Sequence, residues 1–181
     1  MSADPQSKYL APREVWEQKI ATVLKSVDPK WIAVDEFTTK ALHQGQGLDN
    51  IMERAADAGL PPIAAEPALA KLMAFTAYVS STKHALEIGT LAGLTSIRLA
   101  KANPQLHVTT IELHDVYANV ARENIRDAGL ESQIEVLVGS AVDLLPKLRA
   151  EIETGKRQRF GLTFIDADGV STFGNTVKMQ Y

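Results

Sequence analysis

HALEIGTLAGLT, residues 84–95, sets a short apolar run directly before two glycines and an amphipathic stretch. The run reads as a strand, the glycines as a tight turn, and the segment from about Leu94 as a helix. Gly89 and Gly93 permit backbone conformations and a close ligand approach that a side chain would block, and a helix starting there aims unpaired N–H groups at the ligand. The spacing departs from two familiar phosphate cradles. A dinucleotide turn requires G-x-G-x-x-G and a phosphate loop closes on Gly-Lys-Ser/Thr, whereas this turn is Glu87-x-Gly89-x-x-x-Gly93 with no lysine following. An acidic residue at the strand end repels a pyrophosphate and suits a cofactor that carries a cation and no phosphates. Nicotinamide-dependent oxidoreduction is the weaker reading for that reason.

Downstream, strands and helices alternate. His107–Leu113, Ile134–Val138 and Phe160–Ile165 read as three further strands. Between them lie a helix capped by Asp115 and ended at Gly129, and another holding Leu144, Leu145 and Leu148. Alternation over short connections requires parallel pairing with right-handed crossovers, so the expected fold is α/β, a doubly wound, mainly parallel Rossmann-like sheet. Ligands of such sheets bind beyond the carboxyl ends of the strands. Those ends carry Glu87-Ile88-Gly89, Glu112, Gly139-Ser140-Ala141 and Asp166-Ala167-Asp168. Glu112 follows the glycine turn by about the 20 residues expected of an acid that accepts hydrogen bonds from ribose hydroxyls.

Upstream, Trp16, Ile20, Val23 and Val27 recur at helical spacing, as do Trp31, Val34, Thr38, Ala41 and Leu42 after Pro29. A third helix covers 49–58, and Pro67 opens a fourth with Leu69, Leu72, Met73 and Thr76 on one side. These stripes read as core or subunit-packing faces, and residues 44–47 as a connector. The chain thus divides into a helical region, 1–82, a Rossmann-like half, 83–169, and a divergent tail, 170–181.

Nineteen basic residues against 22 acidic ones, net charge −3, leave no electrostatic footprint for nucleic acid or anionic lipid. No cysteine is present, which excludes disulfides and thiolate metal sites. Residues 1–12 are polar and no segment approaches 18 uninterrupted apolar residues, so the expectation is a soluble, cytoplasmic protein. The histidines are poor catalytic candidates: His84 and His107 open strands, His43 lies near a loop, and only His114 follows a strand tip.

Taken together, Leu86-Glu87-Ile88-Gly89-Thr90 with Gly93, the Ile111-Glu112 strand end, Val138-Gly139-Ser140-Ala141 and Phe164-Ile165-Asp166-Ala167-Asp168 resemble the S-adenosylmethionine-dependent O-methyltransferases of the catechol and caffeoyl-coenzyme A type, over residues 30–169. The resemblance implies that Glu87, Gly89 and Thr95, with Thr90 and Gly93 in the same turn, hold the methionine end of S-adenosyl-L-methionine. It implies that Glu112 holds the ribose and that Ser140 and Ala141 border the adenine. Ala65 stands where the family often has a valine near the sulfonium, and Leu69-Ala70 where a Gln-Gly pair is common. Asp166 becomes the catalytic carboxylate and first ligand of a divalent, magnesium-type metal, with Asp168 as structural support. Such a metal binds vicinal hydroxyls of a small, catechol-like acceptor and lowers the pKa of one. Family members are commonly homodimers.

The family continues Asp-Ala-Asp-Lys-x-x-Tyr, but Gly169 stands at the lysine position and residues 170–181 follow no family pattern. The expectation is a chain truncated after the fourth strand, with Leu162–Ile165 as an apolar open edge. The alternative function is a catalytically incomplete cofactor-binding fragment or pseudoenzyme acting through a partner chain.

Overall fold

A computed structural model describes residues 10–43 and 49–167. The expectations for residues 44–47, Asp168, Gly169 and the tail lie outside the described residues. Four strands, β1 (His84–Ile88), β2 (His107–Glu112), β3 (Ile134–Val138) and β4 (Leu162–Ile165), form one sheet in the order β3-β2-β1-β4. All pairings are parallel; β1 matches Glu87 to Thr110 of β2 and to Phe164 of β4. Seven helices complete the described chain: α1 (Arg13–Leu24), α2 (Pro29–His43), α3 (Asp49–Asp57), α4 (Pro67–Val79), α5 (Leu94–Ala102), α6 (Asp115–Asp127) and α7 (Ala141–Glu153).

Alternating side chains send the strands into two separate cores. Ala85 and Val108 face α4, α5 and α6, where Met73, Ile97 and Ile125 close the larger core. Leu86, Ile88 and Ile111 face α7, packing on Ala141 and Leu148. Full burial of an aliphatic side chain such as Ile97, with no measurable exposure, contributes about 1.5–3 kcal/mol. The chain crosses from one face to the other between β3 and β4, so the topological switch point lies between β1 and β4, at the glycine turn. The doubly wound sheet expected from the alternation is the observed architecture.

Three local expectations need correction. The core side of α4 is Ala70, Met73, Ala74 and Ala77, whereas Leu69, Leu72 and Thr76 are exposed. α5 approaches α4 closely, and alanines permit that approach where leucines would not. α1 buries no residue and α2 presents Trp31 and Val34 to solvent, so their stripes are not core within this chain. His114, not Asp115, occupies the N-cap of α6 and makes no side-chain cap; Asp115 opens the first turn, where a negative charge meets the positive end of the helix dipole. Among the described residues, no helix is long and apolar enough to cross a membrane.

Candidate functional site

The strand tips are tied to one another by backbone bonds. Gly89 N–H donates to Ile111 O at 2.9 Å, Gly139 N–H to Glu112 O at 2.8 Å, and Asp166 N–H to Ile88 O at 2.9 Å. Gly89 has φ +99° and passes so close to β4 that a Cβ there would overlap the backbone carbonyl of Asp166. Gly93, at φ +78°, begins α5 as a left-handed N-cap and packs on Ala121. The turn between them opens onto a cavity of about 340 Å³, within the size range of small-molecule sites.

Of the residues singled out in the sequence, Ala65, Gly89, Thr90, Thr95 and Glu112 line this cavity, as do Ser140, Ala141 and Asp166. Two do not. Gly93 serves the helix start and its contact with α6. Glu87 lies on the opposite face of β1 from Leu86 and Ile88, beneath α5, with 4% of its surface exposed. Its Oε2 accepts from Ser96 Oγ at 2.5 Å and from Thr110 Oγ1 at 2.7 Å. The expected direct contact with the cavity is therefore corrected: Glu87 is a carboxyl buried behind the turn. Burial pushes its pKa up to about 7, against the opposing pull of the Ser96 and Thr110 hydroxyls and with a smaller upward push from Asp166 and Glu112.

Glu112, 4% exposed, clamps the turn. Oε2 accepts from Thr90 N–H at 3.1 Å and Leu91 N–H at 2.9 Å; Oε1 accepts from His114 N–H at 2.9 Å. A carboxylate offers about four acceptor positions, so capacity remains for a hydroxyl in the cavity. Asp166 stands across the cavity, and partial burial holds its pKa above the ordinary aspartate value. Ser140 starts α7, its Oγ accepting from Val142 N–H at 3.2 Å. Two carboxylates in apolar walls can receive hydroxyls and a cation and disfavour a phosphate.

Several wall residues escaped the sequence reading. Pro61, Ile63 and Ala64 come from the segment between α3 and α4, and Leu113 and Tyr117 from the end of β2 and the start of α6, beside His114, which the sequence already set after the β2 tip. Trp16 arrives from α1, its indole N–H held by Gly59 O at 3.0 Å and Lys19 Nζ lying 4.3 Å from its ring centroid. The tryptophan was visible in the helical pattern, but nothing local to it signals a fold that brings it to a strand tip some 70 residues on. As for a metal, among the described residues no three histidine, aspartate or glutamate side chains gather as ligands. Asp166, the expected first ligand, faces the cavity, and Asp168 lies outside the described residues.

The O-methyltransferase family profile matches residues 38–175. The O-methyltransferase imqG of Aspergillus flavus is 45% identical over 161 residues, covering 84% of this chain and 65% of that protein. A catechol O-methyltransferase of Niastella koreensis is 36% identical over 138 residues, covering 75% and 61%. Among solved structures, the O-methyltransferase of Bacillus cereus in complex with SAH superimposes with TM-score 0.67 at 33% identity, over 75% of this chain and 61% of that one. The chain therefore spans less than two thirds of the length of these relatives. A parallel sheet with its switch point at the glycine turn, an acid clamping that turn from the next strand and a profile match over three quarters of the sequence lead to one assignment: this chain belongs to the O-methyltransferase family.

Proposed function

We propose that the cavity binds S-adenosyl-L-methionine and that the protein transfers its methyl group to a hydroxyl of a small, catechol-like acceptor. The observation that carries this reading is the pairing of Glu112 with the glycine turn, in a cavity that also holds Asp166 and mostly apolar walls. Glu112 takes the ribose hydroxyls, Thr90 and Thr95 with Gly89 take the methionine end, and Ser140 and Ala141 border the adenine. Ala65, Ile63 and Trp16 wall off water. In the transfer the acceptor reacts as its oxyanion, its hydroxyl proton having passed to bulk water beforehand; the S–CH₃ bond breaks as the O–CH₃ bond forms, and the sulfonium becomes a neutral thioether. Because charge on both reactants is consumed, most of the acceleration comes from fixing the approach geometry in a dry site. A catalytically incomplete fragment acting through a partner is not favoured, since the matching proteins are O-methyltransferases.

The Bacillus cereus relative bound to SAH supports the choice of cofactor. Calorimetry of the 181-residue chain with S-adenosylhomocysteine (SAH) and with NAD tests it: SAH binds and NAD does not. The chain has two tryptophans, one in the cavity wall and one, Trp31, 69% exposed on α2. SAH is therefore expected to change the fluorescence through Trp16; Trp31→Phe keeps the change and Trp16→Phe removes it. Tighter binding of NAD, or a signal that stays with Trp31, refutes the assignment.

Further readings rest on the same proposal. The helical region 1–82 and the Rossmann-like half 83–169 act as one unit around the cofactor. The protein works in the cytoplasm, with which a cysteine-free sequence is compatible. The exposed Trp31, Phe37, Leu72, Phe75 and Tyr78 of α2 and α4 form an apolar face suited to a homodimer. Sedimentation that shows only monomer at tens of micromolar protein removes the dimer.

A further inference from the structure

We propose that Asn124 is a positioning residue for the cofactor turn, a second clamp that acts from α6 beside the one formed by Glu112. The inference rests on the proposed cofactor reading and adds to it a residue that does not line the cavity. Leu91, midway between Gly89 and Gly93, has φ +51°, a left-handed conformation that a leucine keeps only where its surroundings hold it there. Glu112 Oε2 holds the preceding side, accepting from the Thr90 and Leu91 N–H groups. On the following side, Asn124 Nδ2 donates to Ala92 O at 2.9 Å. The strained residue is thus pinned on both flanks, by an acid of β2 and an amide of α6.

The amide's orientation is settled by its neighbours. Arg54 Nη1, from α3, donates to Asn124 Oδ1 at 2.6 Å. A guanidinium only donates and a backbone carbonyl only accepts, so both contacts demand that Nδ2 face the turn. Asn124 and Ala92 are both buried, and a carbonyl there that loses its donor is left unpaired. The reach is short because Gly93 lets α6 come close: a Cβ on it would lie 3.3 Å from that of Ala121, one helical turn before Asn124. Docking of α3 on α6 has other support. Arg54 also pairs with Asp127 Oδ2 at 2.5 Å and lies 3.8 Å from Glu123 Oε2. Asn124 therefore contributes to the turn what neither of those acids reaches.

Three variants of the full chain separate the turn from the helix contact. Asn124→Asp keeps the acceptor for Arg54 but sets an oxygen against the Ala92 carbonyl; Asn124→Leu, of similar shape and uncharged, removes the donor without that repulsion. Arg54→Met removes the ion pairs of α3 and leaves the bond to Ala92 in place. The measurements are SAH affinity and, without ligand, amide hydrogen exchange. Both Asn124 variants should bind SAH about three- to tenfold more weakly than the wild type, the loss of one hydrogen bond that holds the turn. The amides of residues 90–93 should exchange faster while those of β1 and β2 keep their protection. Arg54→Met should bind within about twofold of the wild type, since a part-exposed ion pair contributes little, and leave exchange at the turn unchanged. Either Asn124 variant decides if the other does not fold. Wild-type affinity or unchanged turn exchange in a folded Asn124 variant overturns the inference. So does failure of both to fold, or an equal loss in Arg54→Met, since each makes Asn124 a packing residue only. Absence of SAH binding by the wild type removes the cofactor reading and leaves the exchange pattern to decide whether Asn124 holds the turn.

Discussion

Replacing Gly89 by alanine is expected to abolish ligand binding at the strand tips and to lower the stability of the whole sheet. Two costs add. At φ +99° the backbone is in a region that L side chains avoid, which costs about 1–2 kcal/mol. The new Cβ also overlaps the Asp166 carbonyl, and a backbone atom cannot rotate away as a side chain does. Asp166 is fixed in turn by its own N–H bond to Ile88 O, so relief requires β4 to shift against β1. Overpacking of that kind costs about 1–3 kcal/mol, giving a total of about 2–5 kcal/mol against a typical domain stability of about 5–15 kcal/mol. Gly129→Ala is the control. It has φ +69° but nothing within 4 Å of a new Cβ, so only the conformational cost applies, about 1 kcal/mol. Urea denaturation of both variants, with SAH titration at a temperature where Gly89→Ala is folded, measures the contrast. Equal destabilisation of the two, with binding retained in Gly89→Ala, would show that the close approach of the turn to β4 is wrong.

The turn and the strands were legible because their signals are local. Gly89 and Gly93 sit between an apolar run and an amphipathic one, and short connections between alternating elements leave little choice of topology. Glu112, Ser140 and Asp166 were placed by their position at strand ends and Ala65 by the family resemblance, and the fold carries them to one cavity. Glu87 was not legible in the same way. Both faces of β1 are buried, so the alternation of apolar and polar residues that distinguishes inside from outside is missing. Only the register, Glu87 beside Thr110, reveals which side it takes. The α4 face was misread because residue size was taken as the sign of burial, whereas the contact with α5 selects alanine at 70, 74 and 77. Trp16 was missed because its role exists only once α1 lies near the Gly59 turn, a contact more than 40 residues long in sequence.

Glu112→Ala should lose both the ligand and part of the turn, and comparison with Glu112→Gln separates the two losses. The alanine variant leaves the Thr90, Leu91 and His114 N–H groups without their acceptor. A buried donor left unpaired costs about 1–3 kcal/mol; water entering from the adjoining cavity offsets some of that, so a destabilisation of about 2–4 kcal/mol is expected. Glutamine keeps one acceptor oxygen. It can serve Thr90 and Leu91, but its NH₂ group then faces the His114 N–H and no acceptor remains for a ribose hydroxyl. The glutamine variant should therefore be nearly as stable as the wild type, within about 1–2 kcal/mol. Yet it should bind SAH at least tenfold more weakly, because a hydrogen bond to a charged acceptor contributes about 1.5–3 kcal/mol. Stability falls in one variant and affinity in both, a pattern that a simple turn clamp does not produce. If Glu112→Gln binds SAH as the wild type does, the carboxylate holds only the backbone, and the adenosine has no ribose anchor in this cavity.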